Sequence, residues 1–243
     1  MENLVLLHAF PLDSRMFDGV RTDLSAAATL LTPDLRGFGS GPPLADAPPD
    51  LGVLADDVVT AMDAAGIGRA IVGGVSMGGY VSLALLRRHP DRVAGLLLVD
   101  TRSGPDDAAA VERRQGVAAR ADGGDIASGP DAIAPLVAEG TSDDVRAALA
   151  AIAGAVPPVT VAWAQRAMAA RPDSTAVLAG ASVPVLIVVG ERDAVTPPAA
   201  AREMAAAATD AELVVLPGVG HLTPAEAPAG FAGAVVGWLS RRF

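Results

Sequence analysis

The chain has 243 residues, 51% of them hydrophobic and 19% charged, enough to bury a sizeable core in one large domain with an insertion and too apolar for disorder. A formal net charge of −10 argues against nucleic acid or an anionic membrane as a partner, since both call for a basic face. Cysteine is absent, which excludes disulfides, a thiol nucleophile and Cys-based metal sites. None of His8, His89 and His221 has a second histidine within a helical turn, so neither a metal nor any other cofactor is expected.

The opening residues, "MENLVLLHAF", carry no basic leader and run straight into a strand pattern, so no secretory signal is expected. No apolar run reaches the ~18 residues of a membrane span, and a soluble cytoplasmic protein of open oligomeric state is the expectation. Short runs rich in Val, Ile and Leu then recur along the chain: "NLVLLHA", "TLLTPDL", "RAIVGGV", "VAGLLLVD", "VPVLIVVG" and "ELVVLPG". Near-continuous apolar runs of this length predict strands buried on both faces, hence a parallel sheet in an α/β fold. Between them, Leu51, Leu54, Val58, Met62 and Ala65 repeat at helical spacing, as do Phe231, Val235, Trp238 and Leu239 near the end. Both stripes are read as core packing.

One stretch breaks the alternation. Residues 102–182 contain no strand-like run and read as short helices around "DDAAAVERRQGVAARA", "DAIAPLVAEG", "SDDVRAALAAIAG" and "VTVAWAQRAMAA". So long a crossover predicts a helical cap over the carboxyl ends of the strands, where open α/β sheets bind ligands. Residues 1–101 and 183–243 are then the core, and Trp163 belongs either to the cap's own packing or to the pocket wall.

The most telling local pattern is Gly74-Val75-Ser76-Met77-Gly78, where a strand gives way without a spacer to a helix. A serine on so tight a turn is presented as a nucleophile, and the turn needs small residues on either side. A hydroxyl requires a base, and the base requires an orienting group. His221 follows the last strand-like run, and Asp193 stands just beyond the fifth. Asp100, after the fourth, is the less favoured candidate for the acid. His8 is read as a structural histidine near the site and His89 as a helix-end residue. Gly37, Gly39 and Gly41 lack phosphate-loop spacing.

The order Ser76, Asp193, His221, with all three at carboxyl ends of strands, resembles the α/β-hydrolase fold superfamily. The resemblance covers nearly the whole chain: "HAFP", "DLRGFGSG", "VSMGGYVSLALLRRHPDRVAGLLLVD", "GERDAVTPP" and "GVGHLTPAEAP". It implies an α/β-hydrolase fold with a mostly parallel sheet, shortened at the N-terminal edge because no hairpin precedes the strand that begins at Asn3. It further implies a small capped carboxylesterase or enol-lactonase acting through an acyl-enzyme, with backbone N–H groups of Phe10 and Met77 as the oxyanion hole. The side chains of Phe10 and Met77 are then expected to line the pocket. Where the family usually has His-Gly, this chain has His8-Ala9, and a slightly altered oxyanion loop is expected. C–C bond hydrolysis, peroxide-dependent perhydrolysis and a non-enzymatic ligand receptor are the rival readings. Arg102, Arg113 and Arg114 near the cap entrance either favour a carboxylate-bearing substrate or are solvated helix surface.

Overall fold

The computed structural model describes residues 1–127 and 129–243. Strand β1 (Asn3–Leu7) leads through a 3₁₀ turn and helix α1 (Arg21–Ala27) to β2 (Thr29–Leu31), and α2 (Leu51–Ala64) leads to β3 (Ala70–Val75). Helix α3 (Met77–Arg88) follows at once, then β4 (Val93–Val99). The strands form one sheet in the order β2-β1-β3-β4-β5-β6, every neighbouring pair parallel, with β5 (Val185–Gly190) and β6 (Ala211–Leu216) completing it. The short β2 forms the edge on the N-terminal side.

Alternation along the strands explains the two layers of core. Val5, Leu7, Val72, Leu96, Leu98, Ile187 and Val189 face one layer, with Leu54, Val58 and Met62 of α2 and Val81 and Leu85 of α3. Leu4, Leu6, Ile71, Leu97, Val99, Leu186 and Val188 face the other, with Phe17, Leu24 and the final helix. Both faces are covered, so the central strands are apolar throughout, as a parallel sheet requires. The predicted stripe of the final helix holds: Phe231, Val235, Trp238 and Leu239 are all buried. Ala65 does not belong to the α2 stripe. The helix ends at Ala64, Ala65 caps it in an exposed position, and Gly66 turns the chain with φ of +71°.

Between β4 and β5 the described residues form α4 (Ala108–Asp122), α5 (Gly129–Ile133), α6 (Asp143–Gly154), α7 (Pro158–Ala169) and α8 (Thr175–Ala179). Helix α4 packs on α7 and α5 on α6. The helix predicted around "DAIAPLVAEG" is cut short: α5 ends at Ile133 and a single 3₁₀ turn, Ala134–Leu136, carries Pro135, which cannot donate to a continuing α-helix. Helices α9 (Pro198–Ala207), α10 (Thr223–Glu226) and α11 (Pro228–Arg242) flank the last two strands. No single helix among the described residues is long and apolar enough to cross a membrane.

Candidate active site

The turn between β3 and α3 holds Ser76 at φ of +53° and ψ of −110°, a backbone conformation that an L-residue occupies only under constraint. Three contacts supply that constraint. Ser76 N–H donates to Val99 O at 2.9 Å, Thr101 Oγ1 donates to Ser76 O at 2.8 Å, and the first turn of α3 begins at the next residue. The flanking glycines have a steric reason: a Cβ on Gly74 would collide with the backbone of Gly78, and one on Gly78 with the carbonyl of Leu7. The motif is therefore three backbones in close approach, which only glycine permits.

Behind the serine, His221 is buried with Asp193. Its Nδ1 lies 2.8 Å from Asp193 Oδ2 and 3.2 Å from Thr196 Oγ1. Asp193 Oδ1 accepts the N–H groups of Val195 and Thr196, each at 2.8 Å, and Thr196 Oγ1 donates to Oδ2 at 2.7 Å. Burial alone would raise the Asp193 carboxyl. The His221 bond and charge, with the Thr196 donors, outweigh it and hold the group below the usual carboxylate range. The ring is thus oriented by an ionised partner, and His221 and Ser76 both face one cavity of about 350 Å³. An orienting carboxylate, an imidazole whose second nitrogen has no partner among the described residues and a hydroxyl on a strained turn can together carry an acyl transfer.

Asp100 sits beneath the pair with φ of +45° and is fully buried. Its oxygens accept the N–H groups of Gly190 and Thr223, each at 2.9 Å, so it ties the loop carrying Asp193 to the loop carrying His221. Burial pushes its carboxyl up to about 7; attraction to His221 opposes this and repulsion from Asp193 adds to it. With a folded pKa above the unfolded value, Asp100 favours the fold most below about pH 4, and that contribution is lost as pH rises through about 7. We expect the stability gap between the native protein and Asp100→Asn to narrow between pH 5 and 8, read by urea unfolding; a gap independent of pH would contradict the raised carboxyl. Subtracting the variant is necessary because buried His8, whose pKa is lowered by desolvation, gains stability as pH rises in the lower part of that window.

The remaining sequence candidates are distributed as follows. Phe10 lines the cavity, and its N–H has no backbone partner among the described residues. Met77 supplies the first N–H of α3, but its side chain is packed in the core and is not part of the cavity wall, contrary to the expectation. Trp163 also stands away from the wall: its indole N–H donates to Ala47 O at 2.8 Å and its ring joins the core, so it fastens α7 to the loop after β2. Ala9 carries no left-handed strain, so alanine is accommodated there, and its N–H points to Met16 Sδ at 3.3 Å. His8 accepts from Leu35 N–H through Nε2 at 3.0 Å, which fixes Nδ1 as the protonated nitrogen, donating to Ala9 O. His89 pairs with Asp56 at 2.7 Å. Arg113 is exposed, and Arg102 donates to Val195 O and lines a separate cleft beyond Tyr80; of the three arginines, Arg114 alone faces the cavity.

Two positions at the cavity and the histidine loop escaped the sequence reading. Glu226 accepts from Gly220 N and Leu222 N on either side of His221, and from Ala138 N and Thr141 Oγ1 of the helical insertion. His221 N–H itself donates to Leu136 O at 2.9 Å. The histidine loop is therefore bonded to the insertion directly at His221 and indirectly through Glu226. Gln165 lines the cavity beside Arg114. A Glu two residues before a proline-initiated helix, or a Gln in an Ala-rich helix, carries no sequence signal of either role. Among the described residues no three His, Cys, Asp or Glu side chains gather as a metal site would require.

A sequence profile of the alpha/beta hydrolase fold matches residues 2–228. The chain is similar to a thermophilic esterase of Thermogutta terrifontis, solved with malate bound, at 36% identity and a TM-score of 0.94 over 99% of this chain and 90% of that one. An enol-lactonase of Burkholderia xenovorans LB400 superimposes with a TM-score of 0.86 at 27% identity over 98% and 91% of the two chains. Among curated proteins, the pimeloyl-[acyl-carrier protein] methyl ester esterase of Aromatoleum aromaticum is 37% identical over 44% of this chain and 42% of its own length. The 2-hydroxymuconate semialdehyde hydrolase of Pseudomonas sp. is 39% identical over 33% and 28%. The chain thus spans less than half the length of these curated relatives, whereas the profile and the solved structures cover nearly all of it. With the parallel sheet, the strained serine after β3 and a profile match over residues 2–228, the chain belongs to the alpha/beta hydrolase fold family.

Proposed function

We propose that the protein is a serine hydrolase cleaving small carboxylic esters or lactones through an acyl-enzyme. Ser76 attacks the carbonyl, His221 takes and returns the proton, and Asp193 holds the imidazole in the tautomer that leaves Nε2 free to accept. The N–H groups of Phe10 and Met77 receive the oxyanion, where each pre-aimed donor contributes about 3 kcal/mol to the transition state. Water then releases the acyl group. The observation that carries this reading is the 2.8 Å bond from Asp193 to His221, whose ring lines the cavity that Ser76 also lines. Esterase and lactonase activity in the two solved relatives accords with it. A fluorophosphonate should label the protein with one-to-one stoichiometry, and peptide mapping should place the label on Ser76; a label elsewhere, or none, would reject the assignment.

Residues 102–182 act, in this reading, as the cap. Val117, Ile126, Leu136, Val161 and Met168 of that segment stand around the cavity, and about 350 Å³ is near the lower end of small-molecule sites. Short acyl groups should therefore be preferred. Across a p-nitrophenyl ester series kcat/KM should peak at short chains and be poor at about twelve carbons or more. A maximum at long chains, or a jump in rate above the micellar limit, would make the segment a lipase-type lid.

A further inference from the structure

The wall of the Ser76 cavity carries two donors without acceptors among the described residues. Arg114 on α4 and Gln165 on α7 meet where the two helices pack. Arg114 Nε donates to Asp106 Oδ2 at 2.5 Å, and Nη1 donates to Gln165 Oε1 at 3.1 Å and to Met168 Sδ at 3.4 Å. Arginine has no acceptor, so the Gln165 atom that faces it must be the carbonyl oxygen, and the amide N–H groups are turned elsewhere. Arg114 Nη2 and Gln165 Nε2 have no protein partner among the described residues, although Gln165 is buried and both residues wall the cavity. Donors in such a setting ordinarily find an acceptor.

Charge points the same way. The Asp106 carboxylate is shared by Arg114 and by Arg171, whose Nη2 lies 2.7 Å from Oδ1. Two guanidinium groups against one carboxylate leave one positive charge in excess, and it is sheltered: the side chains of Asp106, Arg171 and Arg114 are 3%, 4% and 21% exposed. Arg171 is further fixed with its guanidinium 4.1 Å over the Tyr80 ring, itself part of the cavity wall. Asp125 and Asp131 border the same cavity, but both are exposed, and Asp125 stands 3.9 Å from the equally solvated Arg120. Water screens the rim charges and leaves the sheltered excess dominant.

We infer that the substrate carries a carboxylate away from its scissile carbonyl, received by Arg114 and Gln165: a half-ester of a small dicarboxylic acid, or a lactone bearing a carboxyl group. This rests on the hydrolase reading above and specifies its substrate class. A planar anion accepts from the open edge of the guanidinium and from the amide together, which a neutral alkyl tail cannot do. The carboxylate takes no part in bond making; it fixes which end of the substrate meets Ser76.

The test compares methyl hydrogen glutarate with methyl valerate, in which a methyl group replaces the carboxylate, each followed by proton release in a pH-stat. In the native protein the half-ester should have the higher kcat/KM by about tenfold, the scale of a charge-assisted bond in a sheltered site. Gln165→Glu keeps the acceptor for Arg114, removes the amide donor and adds a negative charge, so the preference should vanish or invert. Arg114→Gln should also abolish it, while Asp106 remains paired with Arg171. The preference is a ratio taken on one protein, so partial unfolding of a variant does not distort it. Equal turnover of the two esters by the native protein, or an unchanged ratio in Gln165→Glu, would overturn the inference and leave the hydrolase reading standing. Turnover of neither ester, nor of p-nitrophenyl acetate, would overturn both.

Discussion

Ser76→Ala should lower kcat/KM on any small ester by about a thousandfold or more while leaving the fold intact. Alanine keeps the Cβ, so the backbone at φ of +53° bears the same strain as before. The bonds that hold the turn, Ser76 N–H to Val99 O and Thr101 Oγ1 to Ser76 O, use only its backbone. What disappears is one hydroxyl, and with it the acyl-enzyme of the proposed mechanism. The N–H groups of Phe10 and Met77 remain, so a trace of activity above the uncatalysed rate should persist. More than about a hundredth of the native kcat would exclude Ser76 as nucleophile, since losses of a nucleophile are typically far larger. A melting temperature within a few degrees of the native value would show that the loss is chemical.

The two buried carboxylates should separate just as clearly. Asp193→Asn should reduce kcat by a few orders of magnitude, because Asp193 Oδ2 is the direct partner of His221 Nδ1 and an amide there favours the wrong tautomer and does not stabilise the imidazolium. Asp100→Asn should change kcat by less than about tenfold, since the hydrogen bonds of the Asp100 carboxylate among the described residues go to the N–H groups of Gly190 and Thr223 and not to the imidazole. Its substitution loosens the loops without removing the charge behind the imidazole. Steady-state kinetics on one short ester decides the ranking. The reverse order would transfer the acid to Asp100.

How much of this was legible in the sequence follows from how local each signal is. Each central strand is buried on both faces, so its own residues reveal it, and Gly74 to Gly78 is a steric pattern contained within five residues. Asp193 and His221 could be named as a candidate pair, and do meet, because a parallel sheet brings the carboxyl ends of its strands to one edge, which turns positions far apart in sequence into neighbours. The helical insertion offered no such rule. Trp163 on an apolar helix face reads alike whether it lines a pocket or packs a core, and only its bond to Ala47 O separates the two. Arg114, Gln165 and Glu226 owe their places to how α4 lies on α7 and how the histidine loop meets residues 136–141. Those are contacts between elements, invisible to spacing along any one of them.

The bonds made by Glu226 bear on how this scaffold can be re-engineered. Exchanging the segment between β4 and β5 for that of another hydrolase is an obvious route to a new specificity, and an intact sheet would suggest that the chemistry travels unharmed. Here it would not. The donors at Ala138 and Thr141 and the acceptor at Leu136 would leave with the graft, and Glu226 and the His221 N–H would lose the partners that set the height of the imidazole. A chimera of this protein must import equivalents of those three groups along with its new pocket, and designs that transplant pocket-lining side chains alone onto the native helices begin with the advantage.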